Sequence, residues 1–175
     1  ILSKGYNLTL NDKSKTRIQT LKTNLNRLNL KTKIINKDFT KFNEEEKYDF
    51  VIIDAPCSAV GTIRKNPEIF FKNSGPDFKK LETTQEKMLD KASNLLNKNG
   101  LIIYMVCSFL KCENEDQISK FLTKRSDFKI FNFDFNIENN KYSKMINNNF
   151  IKIFPDTLHN YNIDGYFAAY LKKIK

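Results

Sequence analysis

Three side chains in this 175-residue sequence have the types and the setting to do covalent chemistry: Asp54, Cys57 and Cys107. Asp54 and Cys57 lie in FVIIDAPCSAVGTIR, residues 50–64, and Cys107 in LIIYMVCSFLKCENE, residues 101–115. Cysteine combines high nucleophilicity with a thiol that deprotonates close to neutral pH, so two thiols and a carboxylate in one place make a nucleophilic centre. A lone cysteine beside a strand is ordinarily a small buried hydrophobe, and Cys112 is read that way. A metal centre is not expected: no two cysteines have the C-x-x-C spacing, and His159 is the sole histidine, in a polar surface segment.

The elements that must bring these groups together can be read from pattern. Both motifs open with an apolar, β-branched run that stops abruptly, as expected of a fully buried strand in a parallel sheet. In open α/β sheets the chemistry sits outside the carboxyl ends of the strands, which places Asp54, Cys57 and Cys107 at neighbouring strand ends. Strands are expected at residues 7–11, 33–36, 48–53, 101–106, 129–134 and 166–172. Helices are expected at 15–28, where Ile18, Leu21, Leu25 and Leu28 recur at helical spacing, at 78–96 before the Asn99-Gly100 stop, and at 113–122. This alternation predicts a doubly wound, mostly parallel sheet. No internal repeat or domain linker is visible.

The wording of the motifs resembles a known family. DAPCSAVGTIRKNPEI is similar to the strand-four motif of RsmB/NOP-type (Sun family) RNA cytosine-5 methyltransferases, and VCSFLKCENEDQI to their strand-five motif. Val106 replaces the usual Thr, and Cys112 stands where an acidic residue is common. The segment LTLNDKSKTRIQTLKTNLNRL is similar to the second strand and following helix, and IDGYFAAYLKKI to the final strand, so the resemblance runs over essentially the whole chain. It implies a Rossmann-like sheet with an antiparallel last strand, and S-adenosylmethionine as cofactor. The partner it implies is RNA, with small-subunit ribosomal RNA suggested by SAVGTIRKNPEI. Carbon 5 of cytosine is a poor nucleophile until a thiolate adds to carbon 6 and makes the ring an enamine. The resemblance gives that attack to Cys107, product release to Cys57, and stabilisation of charge beside ring nitrogen 3 to Asp54. It also gives the cofactor to Asp12, Asp38 and Asp54, and RNA contact to Arg64 and Lys65. Read alone, Asp12 and Asp38 are helix caps or turn residues, and Arg64 and Lys65 a solvated loop.

A cofactor turn needs several glycines for close backbone approach, and only Gly5 precedes Gly61. The expectation is therefore a sheet lacking the first strand, and residues 1–175 as a partial methyltransferase catalytic domain, a C-terminal fragment without the glycine-rich first motif. An inactive fragment or pseudoenzyme that keeps only an RNA-binding surface is the alternative. A DNA cytosine-5 enzyme would carry its nucleophile in a Pro-Cys pair, which Pro56-Cys57 superficially fits, but the second motif with Cys107 and Glu113-Asn114-Glu115 favours the RNA enzymes. The net charge of +10 is compatible with a polyanionic partner. Three cysteines, no signal peptide and no membrane-spanning run point to a reduced, cytoplasmic setting without membrane contact.

Overall fold

The computed structural model describes residues 2–43, 45–71, 75–132, 145–147, 149–155 and 162–175. The chain falls into two compact units, Ile1–Glu44 and Glu45–Lys175.

The first unit is one strand–helix–strand turn. β1 (Thr9–Asn11) and β2 (Lys33–Ile35) pair in parallel with Asn11 opposite Ile35, joined by α1 (Lys15–Arg27). A parallel pair needs such a crossover, because a tight turn can only reverse the chain. Ser14 caps α1 by accepting the Arg17 N–H, and Ile18 and Leu25, seven residues apart, are its buried residues.

The second unit opens with another crossover of the same kind. β3 (Tyr48–Asp54) and β4 (Leu96–Val106) run in parallel, with Asp54 opposite Met105, and α2 (Phe78–Leu95) lies between them in the chain. Asp77 caps α2 by accepting the Lys80 N–H at 3.0 Å. Its buried positions Gln85, Leu89, Ala92, Ser93 and Leu95 fall on one face. β4 is flanked on both sides by strands, and Ile102, Tyr104 and Val106 lose all contact with solvent. Full burial of a side chain such as Ile102 or Val106 contributes about 1.5–3 kcal/mol. After β4 come α3 (Glu115–Lys124), β5 (Phe128–Ile130), β6 (Ile146–Asn147), β7 (Phe150–Ile153) and β8 (Tyr166–Lys173). The sheet order is β3-β4-β8-β7-β6, with β5 also paired to β8. Phe167, Ala169 and Leu171 of β8 complete the core.

The expected sheet needs correction on two counts. The first strand is present rather than missing: Thr9–Asn11 forms it and pairs with β2. The sheet is also not mostly parallel. In the six-stranded sheet only β3–β4 is parallel, while β4–β8, β5–β8, β6–β7 and β7–β8 are antiparallel. The reason lies in the connections. Each parallel pair has a helix between its strands, whereas no helix occurs among the described residues after α3, and strands joined without a crossover must pair antiparallel. β3 also differs from a fully buried strand: it ends the sheet order, and Phe50, Ile52 and Asp54 alternate on a face that stays exposed. The expected strand at 129–134 is seen as Phe128–Ile130, its last two residues falling outside those described, as does His159.

Candidate active site

The two sulfur-bearing loops leave the carboxyl ends of β3 and β4. The ladder continues one step past β3, with the Ala55 N–H donating to the Met105 carbonyl at 2.9 Å. The chain then turns sharply. Ala59 takes a left-handed conformation (φ 59°), which costs a non-glycine residue about 1–2 kcal/mol, and Val60–Thr62 forms a short helical turn. This turn brings the Gly61 N–H to the Cys107 carbonyl at 3.0 Å. The Gly165 N–H, just before β8, donates to the Gly61 carbonyl at 2.7 Å. Three backbones thus cross at one point. A Cβ on Gly61 would sit 2.1 Å from the Gly165 oxygen and 2.9 Å from the Cys107 oxygen, so only glycine fits.

This crossing sets the thiols face to face. Cys57 Sγ lies 3.3 Å from Cys107 Sγ, both half-buried and both free. One proton shared across that gap splits their acidities. The Cys57 S–H donates to the Cys107 thiolate and brings Cys107 down to about 7, against the opposing pull of burial. Cys57 is pushed far up, first by that same hydrogen bond and then by burial. The pair titrates as a unit, losing one proton near neutrality and holding the second. Asp54, at the end of β3, is exposed and close enough to Cys107 for its charge to be felt there. Cys112 lies in the turn Lys111–Glu113, its thiol raised by burial.

Beneath the thiols lies a buried polar network. Glu113 is fully buried, and its two carboxyl oxygens accept the Ser58 N–H at 2.8 Å and the Ser58 hydroxyl at 2.6 Å. Gln85 Nε2 donates to the Pro56 carbonyl at 2.9 Å and reaches Glu113 Oε1 at 3.4 Å. The next residue, Asn114, donates from its side chain to the Ser108 carbonyl at 3.2 Å, and the Tyr104 hydroxyl donates to the Glu113 carbonyl at 2.8 Å. The sequence does not announce Glu113 or Gln85 as site residues, because each reads as an ordinary polar helix position. The one available signal is that Glu113-Asn114 comes directly after the Cys107 motif.

The remaining expected site residues stand at strand ends and in the loop beyond Cys57. Asp12, just past β1, accepts the Ser14 N–H at 2.7 Å and a two-pronged bond from Arg17 at 2.7 and 2.9 Å. That guanidinium is the main reason its carboxyl titrates below the usual range. Asp38, three residues beyond β2, caps a short turn by accepting the Thr40 hydroxyl at 2.8 Å and N–H at 3.0 Å, which lower it too. Asp12 therefore holds the turn into α1 and Asp38 caps a short helical turn, and both also stand at carboxyl ends of neighbouring parallel strands, where ribose hydroxyls are held in dinucleotide folds. Both are hydrogen-bond acceptors, the type of group to which ribose hydroxyls donate. Asp12 and Asp38 belong to the first unit and Asp54 to the second. Lys65 reaches buried Asp164 at 2.7 Å and Arg64 the same carboxylate at 3.5 Å, with Arg64 also donating to the Asn162 carbonyl at 3.1 Å. Among the described residues no group of three or more His, Cys, Asp or Glu gathers in a way that could hold a metal.

Comparison with known proteins agrees with this geometry. A family model described as 16S rRNA methyltransferase RsmB/F matches residues 1–172. The ribosomal RNA small subunit methyltransferase B of Shewanella oneidensis is 37% identical over 117 residues, covering 65% of this chain and 27% of that protein. The 25S rRNA (cytosine-C(5))-methyltransferase nop2 of Schizosaccharomyces pombe is 33% identical over 175 residues, covering 94% of this chain and 29% of that protein. The chain thus spans less than a third of the length of these relatives. Among solved structures, PH0851 superposes with a TM-score of 0.82 at 30% identity, covering 95% of this chain and 37% of that one. NSun6 from Pyrococcus horikoshii, solved with SFG, gives 0.77 at 24% identity over 97% of this chain and 42% of that one, a likeness of fold.

Proposed function

Because the chain belongs to the 16S rRNA methyltransferase RsmB/F family, we propose that it methylates carbon 5 of a cytosine in RNA. The RNA is small-subunit ribosomal RNA, and the route is a covalent cysteine–cytosine adduct. The observation that carries this reading is the pair of thiols 3.3 Å apart, one of them with its acidity near neutral.

On this reading the target base leaves its stack, since carbon 6 is shielded by neighbouring bases in a helix. The Cys107 thiolate adds to carbon 6, and Asp54, at the neighbouring strand end, stabilises the proton and charge at ring nitrogen 3. Carbon 5 is then nucleophilic. S-adenosylmethionine, when bound, would supply the electrophilic methyl group, and Asp12 and Asp38 would accept hydrogen bonds from its adenosine end. Afterwards Cys57, its own proton having passed to solvent, takes the carbon 5 proton as a thiolate; the carbon 5–carbon 6 double bond re-forms, ring nitrogen 3 gives up its proton, and the bond to Cys107 breaks to return its thiolate.

The split acidities support this order of roles. In the free enzyme Cys57 keeps its proton because its S–H is hydrogen-bonded to the Cys107 sulfur and because burial disfavours a charge there, with the Cys107 charge adding to both. Once the Cys107 sulfur is committed to carbon 6 its hydrogen bond and charge no longer hold that proton, so Cys57 can release it to solvent and act as a base. Release is thereby armed by adduct formation. A reduced, cytoplasmic setting belongs to the same reading, since both thiols must be free. No helix among the described residues is long and apolar enough to cross a membrane. Arg64 and Lys65 come after the Cys57 loop, and two cations against the single Asp164 leave net positive charge there for RNA phosphate. A purely RNA-binding role gains nothing from the rest of the site, where an acidified thiol would have no use.

The test is transfer of tritium-labelled methyl from S-adenosylmethionine to small-subunit ribosomal RNA, followed by digestion to nucleosides. Label should be recovered in 5-methylcytidine. Label in any other nucleoside, or none in RNA, would overturn the reading.

A further inference from the structure

Among the described residues Glu113 is the one carboxyl group buried completely, and its hydrogen bonds go to Ser58 and Gln85 rather than to a thiol. Its contacts bracket Cys57 instead. Both of its oxygens hold Ser58, the residue after Cys57, and Gln85, which leans on Glu113 Oε1, holds the carbonyl of Pro56, the residue before it. The adjoining Asn114 holds the Ser108 carbonyl, the residue after Cys107. Ser108 and Ser58 also meet directly, hydroxyl to hydroxyl at 3.4 Å. Two consecutive residues just before α3 therefore grip both sulfur-bearing loops, one each, and the Tyr104 hydroxyl fixes the backbone between them. A carboxyl group buried away from water is expensive to place, and hydrophobic packing would serve a purely structural joint as well.

We propose that Glu113 is a positioning residue: its grip on Ser58 holds the Cys57 thiol against the Cys107 sulfur and so sets how readily the covalent RNA adduct is released. The inference rests on the methyltransferase function for its role in release, but its geometric core does not.

The titratable groups acting on Cys107 are Cys57, Asp54 and Glu113. The Cys57 hydrogen bond is the largest influence and lowers Cys107. The Glu113 charge is the smallest and raises it. The two consequences of altering Glu113 thus have opposite signs. Removing the grip takes the Cys57 donor away and moves Cys107 up, towards the ordinary cysteine value of about 8.5. Removing only the charge moves it slightly down.

The experiment tracks alkylation of Cys107 by iodoacetamide across pH in the 175-residue chain, read by peptide mass spectrometry, for Glu113→Ala, Glu113→Gln and Ser58→Ala. In E113A the midpoint should rise by at least about one pH unit from its starting value near 7. In E113Q it should stay or fall slightly, since the amide can still accept from the Ser58 N–H and donate to its hydroxyl. S58A, which keeps the Ser58 N–H bond and the charge, should rise by less than E113A and guards against an E113A chain that does not fold. With RNA and cofactor, E113A and S58A should form adduct within a few-fold of the parent rate yet release it at least about tenfold more slowly, and E113Q should restore release. An unmoved midpoint in both E113A and S58A would overturn the proposal, as would equal slowing of formation and release. If the parent chain forms no adduct at all, the methyltransferase reading fails while the alkylation midpoints still decide whether Glu113 positions the thiols.

Discussion

Replacing Cys107 by alanine should abolish methyl transfer, a loss on the order of 10³-fold or more, of the size seen when a covalent nucleophile is removed. Nothing else at the site can take its place. Cys57, the only other thiol near it, keeps its proton in the free enzyme and lies on the far side of the 3.3 Å gap from the end of β4. Replacing Cys57 by alanine should have a different outcome. Addition to carbon 6 and one round of methyl transfer remain possible, so about one methyl group per enzyme is transferred before turnover stops. Losing the Cys57 donor also raises Cys107 from its value near 7, so the pH at which addition reaches half its maximum should move up in this variant. The direction is fixed because a nucleophile with a higher pKa is a smaller fraction thiolate at any given pH below it. Single-turnover assays of both variants between about pH 6 and 9 check each point, since the plateau is reached only where an ordinary thiol has ionised.

The second large effect is on stability. Gly61→Ala should destabilise the chain by about 3 kcal/mol or more, because the new Cβ would lie 2.1 Å from the Gly165 oxygen, and both neighbours are backbone that cannot rotate away. For a chain of this size that corresponds to a fall in melting temperature of roughly 6–12 °C. Relief of the clash requires β8 and the Cys107 turn to part, so the Cys57–Cys107 pair should open as well. Gly75→Ala is the control: nothing lies within 4 Å of its Cβ, and its melting temperature should match the parent. Thermal melts of the two variants check the difference. Equal melting temperatures would mean that the crossing of the three backbones is not tight in solution.

The meeting of Cys57 and Cys107 is legible in the sequence because parallel βα units obey a simple rule. Apolar runs that stop abruptly mark strand ends, and adjacent parallel strands bring their carboxyl ends together whatever the distance along the chain. The strand–helix alternation up to Val106 is legible for the same reason. The chain beyond α3 is not. Residues 128–153 carry no described helix that would force a crossover, and a polar stretch rich in asparagine conceals the short strands at Ile146–Asn147 and Phe150–Ile153. The antiparallel half of the sheet therefore leaves no clear pattern in the residues. The scarcity of glycine before Gly61 likewise points to a missing first strand, where Thr9–Asn11 supplies one.

Partnerships over long sequence distances are equally hidden. Asp164 takes up Lys65 and Arg64 from about a hundred positions away, and Glu113 takes up Ser58 from 55 positions away. No periodicity encodes either contact, because each is made by loops that the sheet merely delivers to the same edge. Asp12 shows the reverse case. Its bonds to Ser14 and Arg17 are local, and they make the turn reading of this residue visible beside the cofactor reading at the same strand end.

The proposed mechanism turns on the Cys107 sulfur, and not that of Cys57, forming the bond to RNA. The most direct measurement is to incubate the Cys57→Ala and Cys107→Ala variants with small-subunit ribosomal RNA and S-adenosylmethionine and to isolate any covalent complex on a denaturing gel. Nuclease and protease digestion followed by mass spectrometry then finds the peptide that carries the nucleotide. An adduct is expected in the Cys57 variant, with a methylated cytidine on the peptide containing Cys107, and none in the Cys107 variant. A complex trapped by the Cys107 variant, with the nucleotide on the peptide containing Cys57, would contradict this assignment.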